Sequence, residues 1–168
     1  MRIFLLGYMA SGKSLLGLAL ARSLDCAFVD LDTLLEEVLG MPVGAYIEEK
    51  GELSFRKAEH EALSCWLEEG PGDAVVALGG GTPVFYDHMA LLNEAGRTVF
   101  LDVSIGELAQ RLKGSTYRPL IKNQKDLVEF VAKHLFERRP YYSQAQVRVK
   151  GDALGVAELR AALEIQVK

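Results

Sequence analysis

The run Arg2-Ile3-Phe4-Leu5-Leu6-Gly7-Tyr8-Met9-Ala10-Ser11-Gly12-Lys13-Ser14 decides the reading of this chain. Its first part is a short apolar stretch, as a buried strand requires. Its second part fits the pattern G-x-x-x-x-G-K-[ST]. Helical spacing follows directly, through Leu15, Leu16, Leu18, Ala19 and Ala21 to about Leu24. A glycine-rich turn between a strand and a helix lets the chain wrap closely, so that backbone N–H groups and the helix N-terminus face a polyphosphate. In such a loop Lys13 reaches the β- and γ-phosphates, and the Ser14 hydroxyl ligates Mg²⁺. A chain of this length matches the pattern by accident only about once in a hundred times. The segment reads as a nucleoside triphosphate site, with Ala10, Ser11, Gly12, Lys13, Ser14 and Leu15 as ATP-binding candidates.

Outward from this loop, the rest of the chain alternates strand and helix. Ala27–Asp30, Ala74–Leu78 and Arg97–Val103 are further short apolar runs, and Gln146–Lys150 alternates as an edge strand would. Between them, Thr33-x-x-Glu36 and Ser104-x-x-Glu107 read as capping boxes that open helices. Residues 43–69 are helical with a break at Gly51, and Ser54 is the expected cap of the second piece. A helix through Leu108 and Leu112 is expected to end at Gly114, and another covers about 125–139, before Pro140. Strands that feed helices in this order predict an α/β fold with a mostly parallel sheet. No repeat or linker interrupts it, so residues 1–168 are expected to form one domain.

Composition narrows the function. Of 168 residues, 49% are hydrophobic and 25% charged, values of an ordinary globular chain rather than a disordered one. No apolar run reaches the roughly 18 residues that span a bilayer, and the first apolar stretch is too short for a signal peptide. A cytoplasmic protein without membrane association is expected. Nineteen basic residues against 23 acidic ones give a net charge of −4, which excludes a broad nucleic-acid-binding face. Cys26 and Cys65 have no metal-ligand spacing and are expected as buried, reduced thiols.

Several residues stand where an acceptor would bind. Asp30 and Asp32 close the second strand; if both are extended, they share one face at the carboxyl edge of the sheet. One carboxylate there holds a Mg²⁺-bound water and the other takes a proton from an attacking hydroxyl. Gly79, Gly80 and Gly81 follow the third strand and offer bare backbone N–H groups for close approach of a ligand. Arg138 falls on the apolar face of its helix with Val131 and Leu135, and a guanidinium aimed inward calls for an anionic partner. Arg56, with Glu59 three residues on, has equally the spacing of a surface ion pair. Arg118 lies at the centre of a polar loop suited to close over ATP and neutralise charge in the transition state.

A P-loop alone also suits a GTPase, a motor ATPase, or a gluconate or nucleotide kinase. No Asn-Lys-x-Asp guanine-reading segment is present, and the chain has no room for a motor's extra domains. A nucleotide acceptor calls for base-reading groups and a longer lid, neither evident here. An idle nucleotide-binding regulator has no need of Lys13, Ser14, Asp32 and Arg118 together.

Taken in order, GYMASGKS, DLD, FRKAE (Phe55, Arg56, Glu59), LGGG, YRPL and ERRPYY resemble the shikimate kinase family over most of the chain. The resemblance implies a three-layer P-loop kinase fold with a five-stranded parallel sheet of order 2-3-1-4-5, a substrate segment over 31–60 and a short lid over 112–124. It implies a monomeric enzyme that moves phosphate from ATP, with Mg²⁺, to the 3-hydroxyl of shikimate on the route to chorismate and the aromatic amino acids. Lys13, Asp32 and Arg118 are the implied catalytic residues. Asp32 resembles the carboxylate that activates the hydroxyl, and Asp30 the one that orders Mg²⁺-bound water. Arg56 and Arg138 resemble the pair that grips the shikimate carboxylate, and Gly80 lends a backbone contact. Arg111 is placed like the arginine that packs on adenine. Two departures stand out: Lys150-Gly151-Asp152-Ala153 lacks the proline common near adenine, and Arg139 occupies a position where a polar residue is common.

Overall fold

The computed structural model describes residues 1–113 and 127–164. Five strands, β1 (Arg2–Leu6), β2 (Ala27–Asp30), β3 (Ala74–Ala77), β4 (Arg97–Asp102) and β5 (Val147–Lys150), form one parallel sheet of order β2-β3-β1-β4-β5. The central strand β1 and its neighbour β3 are the most uniformly apolar and are buried on both faces, as parallel strands covered by helices must be. At the edge, β5 is only partly covered.

The pleat sorts the core into two. Ile3 and Leu5 face one side with Val75, Val99 and Leu101, where α1 (Lys13–Leu24) and α8 (Val156–Ala162) cover them through Leu20, Ala21 and Leu159. Phe4 and Leu6 face the other with Val76 and Phe100. That side is covered by α2 (Leu31–Leu39), α4 (Glu52–Glu69), α5 (His88–Ala95), α6 (Ile105–Leu112) and α7 (Leu127–Tyr142). The short α3 (Val43–Lys50) packs outside this layer, against α2 and α4. Because the chain leaves β1 for the edge strand β2, returns to β3 beside β1 and only then crosses to β4 and β5, the loops after β1 and β3 lie side by side at the carboxyl edge, where open α/β sheets bind ligands.

Several element boundaries differ from expectation. Helix α2 starts at Leu31, not after Thr33, because Asp30 caps it by accepting the Asp32 N–H at 3.1 Å. A carboxylate at that position satisfies an otherwise orphaned amide donor and draws the helix start towards the strand. Helix α4 starts at Glu52 directly after Gly51, whose φ of 85° turns the chain out of α3, so Ser54 lies inside the helix. Pro140 does not end α7. It lies in the last turn, and the helix runs to Tyr142. The Ser104 cap stands as expected, its hydroxyl accepting the Glu107 N–H at 3.3 Å, but α6 stops at Leu112. Gly114 and all but Leu112 and Lys113 of the 112–124 segment lie outside the described residues. The 3-10 turn Thr82–Val84, α5 and α8 have no counterpart in the expected pattern. Among the described residues no helix is long and apolar enough to cross a membrane.

Candidate active site

The phosphate loop is held open by two left-handed residues, Ala10 (φ 63°) and Gly12 (φ 94°), on either side of Ser11. Alternation of this kind turns successive N–H groups to the same side and makes a concave anion seat. Lys13 folds back over the loop, its Nζ donating to the carbonyls of Gly7 and Tyr8 at 2.9 Å each and to Ser11 Oγ at 3.4 Å. The ammonium is therefore already parked at the seat. Ser14 Oγ donates to Asp30 Oδ2 at 2.5 Å, which brings a hydroxyl and a carboxylate oxygen together at the start of α1. Hard oxygen donors of this kind are what Mg²⁺ takes from a protein when phosphates supply the rest.

Next to the loop is a cavity of about 350 Å³ lined by Leu15, Leu16, Val103, Arg111, Ala153 and Leu154 with the loop itself. Arg111 closes its side. The guanidinium donates to Glu107 Oε1 at 2.7 Å, to the Ala10 carbonyl at 3.1 Å and to the Asp152 carbonyl. Asp152 in turn accepts from the N–H and hydroxyl of Ser104 at 2.8 and 2.9 Å, and these bonds hold its carboxyl below the usual carboxylate range. The segment that lacks proline is thus fixed by side-chain bonds, and Ala153 and Leu154 supply its apolar wall.

On the other flank of the loop, the three glycines after β3 form a hub. A Cβ on Gly79 would stand 2.9 Å from Asp32 Oδ1 and from Thr82 Oγ1. On Gly80 it would meet Arg138 Nη1 at 3.2 Å and the Met9 backbone nitrogen at 3.5 Å, and on Gly81 it would strike the Arg56 guanidinium. Each missing side chain makes room for a different member of the expected set. Asp32, Arg56, Arg138 and the phosphate loop converge there.

Asp30 and Asp32 do not share an extended face. Asp30 ends the strand and Asp32 lies in the first helical turn, yet the turn still delivers the Asp32 carboxylate to Gly79. Arg56 and Glu59 are not a surface pair. Glu59 is fully buried, Arg56 is 8% exposed, and their Nη1–Oε2 bond is 2.8 Å. Phe55 and Phe85 flank the guanidinium at 5.1 and 4.6 Å. Among the described residues its buried Nε finds no hydrogen-bond partner, which fits a group kept for an anion. Arg138 lies 5.7 Å from the centre of the Tyr8 ring and beside Tyr142, whose hydroxyl donates to the Gly80 carbonyl at 2.5 Å. Arg139 points elsewhere, to the buried Asp102, which Arg148 also holds. Arg118 lies outside the described residues.

Cys65 is exposed rather than buried, since it sits on the outer face of α4, and Cys26 is half-buried. Sequence reasoning also missed Thr82, Tyr8 and the histidines His60, His88 and His134 around the hub. Thr82 donates to Glu59 Oε1 at 2.5 Å, and Tyr8 pairs with His134 Nδ1 at 3.0 Å. Only the position of Thr82 directly after three glycines signalled any of this.

The shikimate kinase family model matches residues 9–164. The chain is 43% identical over 156 residues to shikimate kinase of Phocaeicola vulgatus, covering 91% of this chain and 88% of that one. It superposes on shikimate kinase of Bacteroides thetaiotaomicron with a TM-score of 0.89 at 39% identity, covering 98% of both chains. It superposes on shikimate kinase of Acinetobacter baumannii in complex with shikimate with a TM-score of 0.85 at 27% identity, covering 99% of this chain and 95% of that one. With the model spanning nearly the whole chain and the relatives matching in both sequence and fold, this chain belongs to the shikimate kinase family.

Proposed function

We propose that the chain transfers the γ-phosphoryl group of ATP to the 3-hydroxyl of shikimate, acting as a single domain with its acceptor segment over 31–60. The observation that carries this reading is the convergence on Gly79, Gly80 and Gly81 of one carboxylate and two guanidiniums beside the phosphate loop. An acceptor with a hydroxyl near one end and a carboxylate at the other matches that charge pattern.

In this reading the loop amides and Lys13 hold the β- and γ-phosphates, and Lys13 exchanges the Gly7 and Tyr8 carbonyls for phosphate oxygens. Adenine occupies the cavity against Arg111, Leu15 and Leu154. Ser14 would ligate Mg²⁺ directly, and Asp30 and Asp32 through water; the metal would neutralise charge on the β- and γ-oxygens. Arg56 and Arg138 clamp the acceptor carboxylate, and the Gly80 backbone supplies a further contact. Asp32 accepts the proton of the attacking hydroxyl as the oxygen bonds to the γ-phosphorus and the bond from that phosphorus to the β,γ-bridging oxygen breaks, leaving ADP. Arg118, assigned from its place in the sequence, neutralises charge on the transferred group. Little covalent work falls to the protein, so positioning and fixed charge supply the rate. The reading places the enzyme in the cytoplasm as a monomer.

The test is ADP release from Mg-ATP with and without shikimate. Release that depends on shikimate is expected. Background release with ATP still bound, together with turnover on gluconate or a nucleoside monophosphate, would reassign the acceptor.

A further inference from the structure

Behind Arg56 lies a stack of rings, running from the buried His88 through the half-buried His60 to the exposed Tyr86, that the phosphoryl-transfer scheme does not use. His88, fully buried at the start of α5, has its Nδ1 2.7 Å from the Thr82 carbonyl. A carbonyl only accepts, so Nδ1 carries the proton and the neutral ring keeps a lone pair on Nε2. His60 Nδ1 lies 3.0 Å from that lone pair and must donate to it. One backbone carbonyl therefore dictates the tautomers of both rings. Tyr86 stacks flat on His60, 4.6 Å between centroids and 8° between planes. The turn that places it has two successive left-handed residues, Tyr86 and Asp87, each at φ 53°.

Thr82 joins this cluster to the site. Its carbonyl is held by His88, while its hydroxyl donates to Glu59 Oε1 at 2.5 Å. The other Glu59 oxygen accepts from Arg56 Nη1 at 2.8 Å. Thr82 and Glu59 are both fully buried, so water cannot substitute for either bond.

We propose that His88, with His60 as its partner, is a positioning residue for acceptor binding: by holding the Thr82 carbonyl it sets the Thr82 hydroxyl on Glu59 and so orients the Arg56 guanidinium. The inference rests on the reading of Arg56 as a grip on the acceptor carboxylate. It also carries a pH dependence. A proton at His88 Nε2 while His60 Nδ1 keeps its own sets N–H against N–H and pushes the two rings apart, which draws the His88 Nδ1 donor off the Thr82 carbonyl. The charged and titratable groups facing His88 are Glu59, His60 and Arg56 from α4 and Tyr86 from the preceding turn. Burial pushes His88 down from its ordinary value, outweighing the Thr82 bond and Glu59, so the break falls on the acid side of neutrality.

The test is steady-state kinetics of the full chain with shikimate and ATP varied separately, each variant first checked for folding by circular dichroism. His88→Leu is expected to raise the shikimate KM about tenfold, with kcat and the ATP KM within about twofold of the parent, the scale of coupling within one bonded network. His88→Asn, whose amide N–H can stand in for Nδ1, is expected to recover the shikimate KM to within about threefold. In the parent that KM rises as the pH falls on the acid side of neutrality, and in His88→Asn the rise disappears. A folded His88→Leu with an unchanged shikimate KM, or with equal rises for both substrates, overturns the proposal. Should His88→Leu fail to fold, the pH profiles of the parent and His88→Asn decide, and parallel profiles overturn it. Arg56→Lys separates the two levels: an unchanged shikimate KM there removes the acceptor reading and this inference together. A raised KM there with silent His88 variants removes this inference alone.

Discussion

Gly79 leaves the space that Asp32 uses: a Cβ on the glycine would stand 2.9 Å from Asp32 Oδ1, and as close to Thr82 Oγ1. The glycine is therefore required by proximity rather than by an unusual backbone angle. Gly79→Ala is expected to push the Asp32 carboxylate out of line and to strain the Thr82–Glu59 bond. Overpacking of this kind costs about 1–3 kcal/mol of stability. The larger effect falls on kcat, since a misplaced base loses about 100-fold. Thermal melts and kcat measured on one preparation check both, and a variant with parental kcat contradicts the role of Asp32.

Arg138 and Arg139 are adjacent in sequence, yet one lies against Gly80 and the other on Asp102. Arg138→Ala is expected to lower kcat/KM for shikimate by the equivalent of about 2–5 kcal/mol, because it leaves the acceptor anion short of its partner. Arg139 bonds Asp102 with its own side chain about half exposed, so Arg139→Ala costs at most about 1 kcal/mol of stability and spares catalysis. Paired kinetics on the two variants check the assignment, and equal losses contradict it.

Glu59 is fully buried and serves both Arg56 and Thr82. Glu59→Ala strands the Thr82 hydroxyl and leaves the Arg56 guanidinium with only the exposed Glu52 carboxylate, 3.2 Å from Nη2. Breaking a buried pair by removing one member typically costs about 3–5 kcal/mol. Urea unfolding is expected to show a loss of that order, and a loss below about 1 kcal/mol would mean that solvent reaches the pair.

Arg111→Ala is expected to raise the KM for ATP and leave that for shikimate unchanged, since Arg111 walls the cavity beside Ala10 and Leu15. A shift in both constants would place the arginine in a wider structural role.

His88 and His134 both lie below the ordinary imidazole value, pushed down first by burial and, for His134, next by the charge of Arg138. The unfolded chain, with histidines near pH 6.5, then binds more protons than the folded one between the two values. Their stabilising effect is complete above about pH 6.5 and is lost as the pH falls through the folded values. The Tm is expected to drop on acidification from pH 7 towards 5, and less steeply in a His88→Asn, His134→Asn double variant. A Tm that rises over that interval contradicts the burial of these rings.

The phosphate loop, the alternation of strands and helices and the order of the site segments were all legible along the chain. They rest on local chemistry: glycines where the backbone must turn, apolar runs where strands are buried, and a Ser104 cap that forms as written. Helix starts were less legible where two caps competed, and Asp30 prevailed over Thr33 because it sits directly at the strand end. The Arg56–Glu59 spacing is the same for a surface pair and a buried one. Only the packing of Gly81, Phe85 and Thr82 over it made it a site. Likewise nothing local distinguishes Arg138 from Arg139 as firmly as Gly80 against one and Asp102 against the other. By itself, then, the sequence determined the fold class, the phosphate-loop motif and a set of acceptor-side candidates, because short-range geometry and residue chemistry encode them. Tertiary structure alone decided which charges are buried, which guanidinium faces the hub and which tautomer His88 takes. Those properties depend on segments far apart in the chain closing over one another and excluding water.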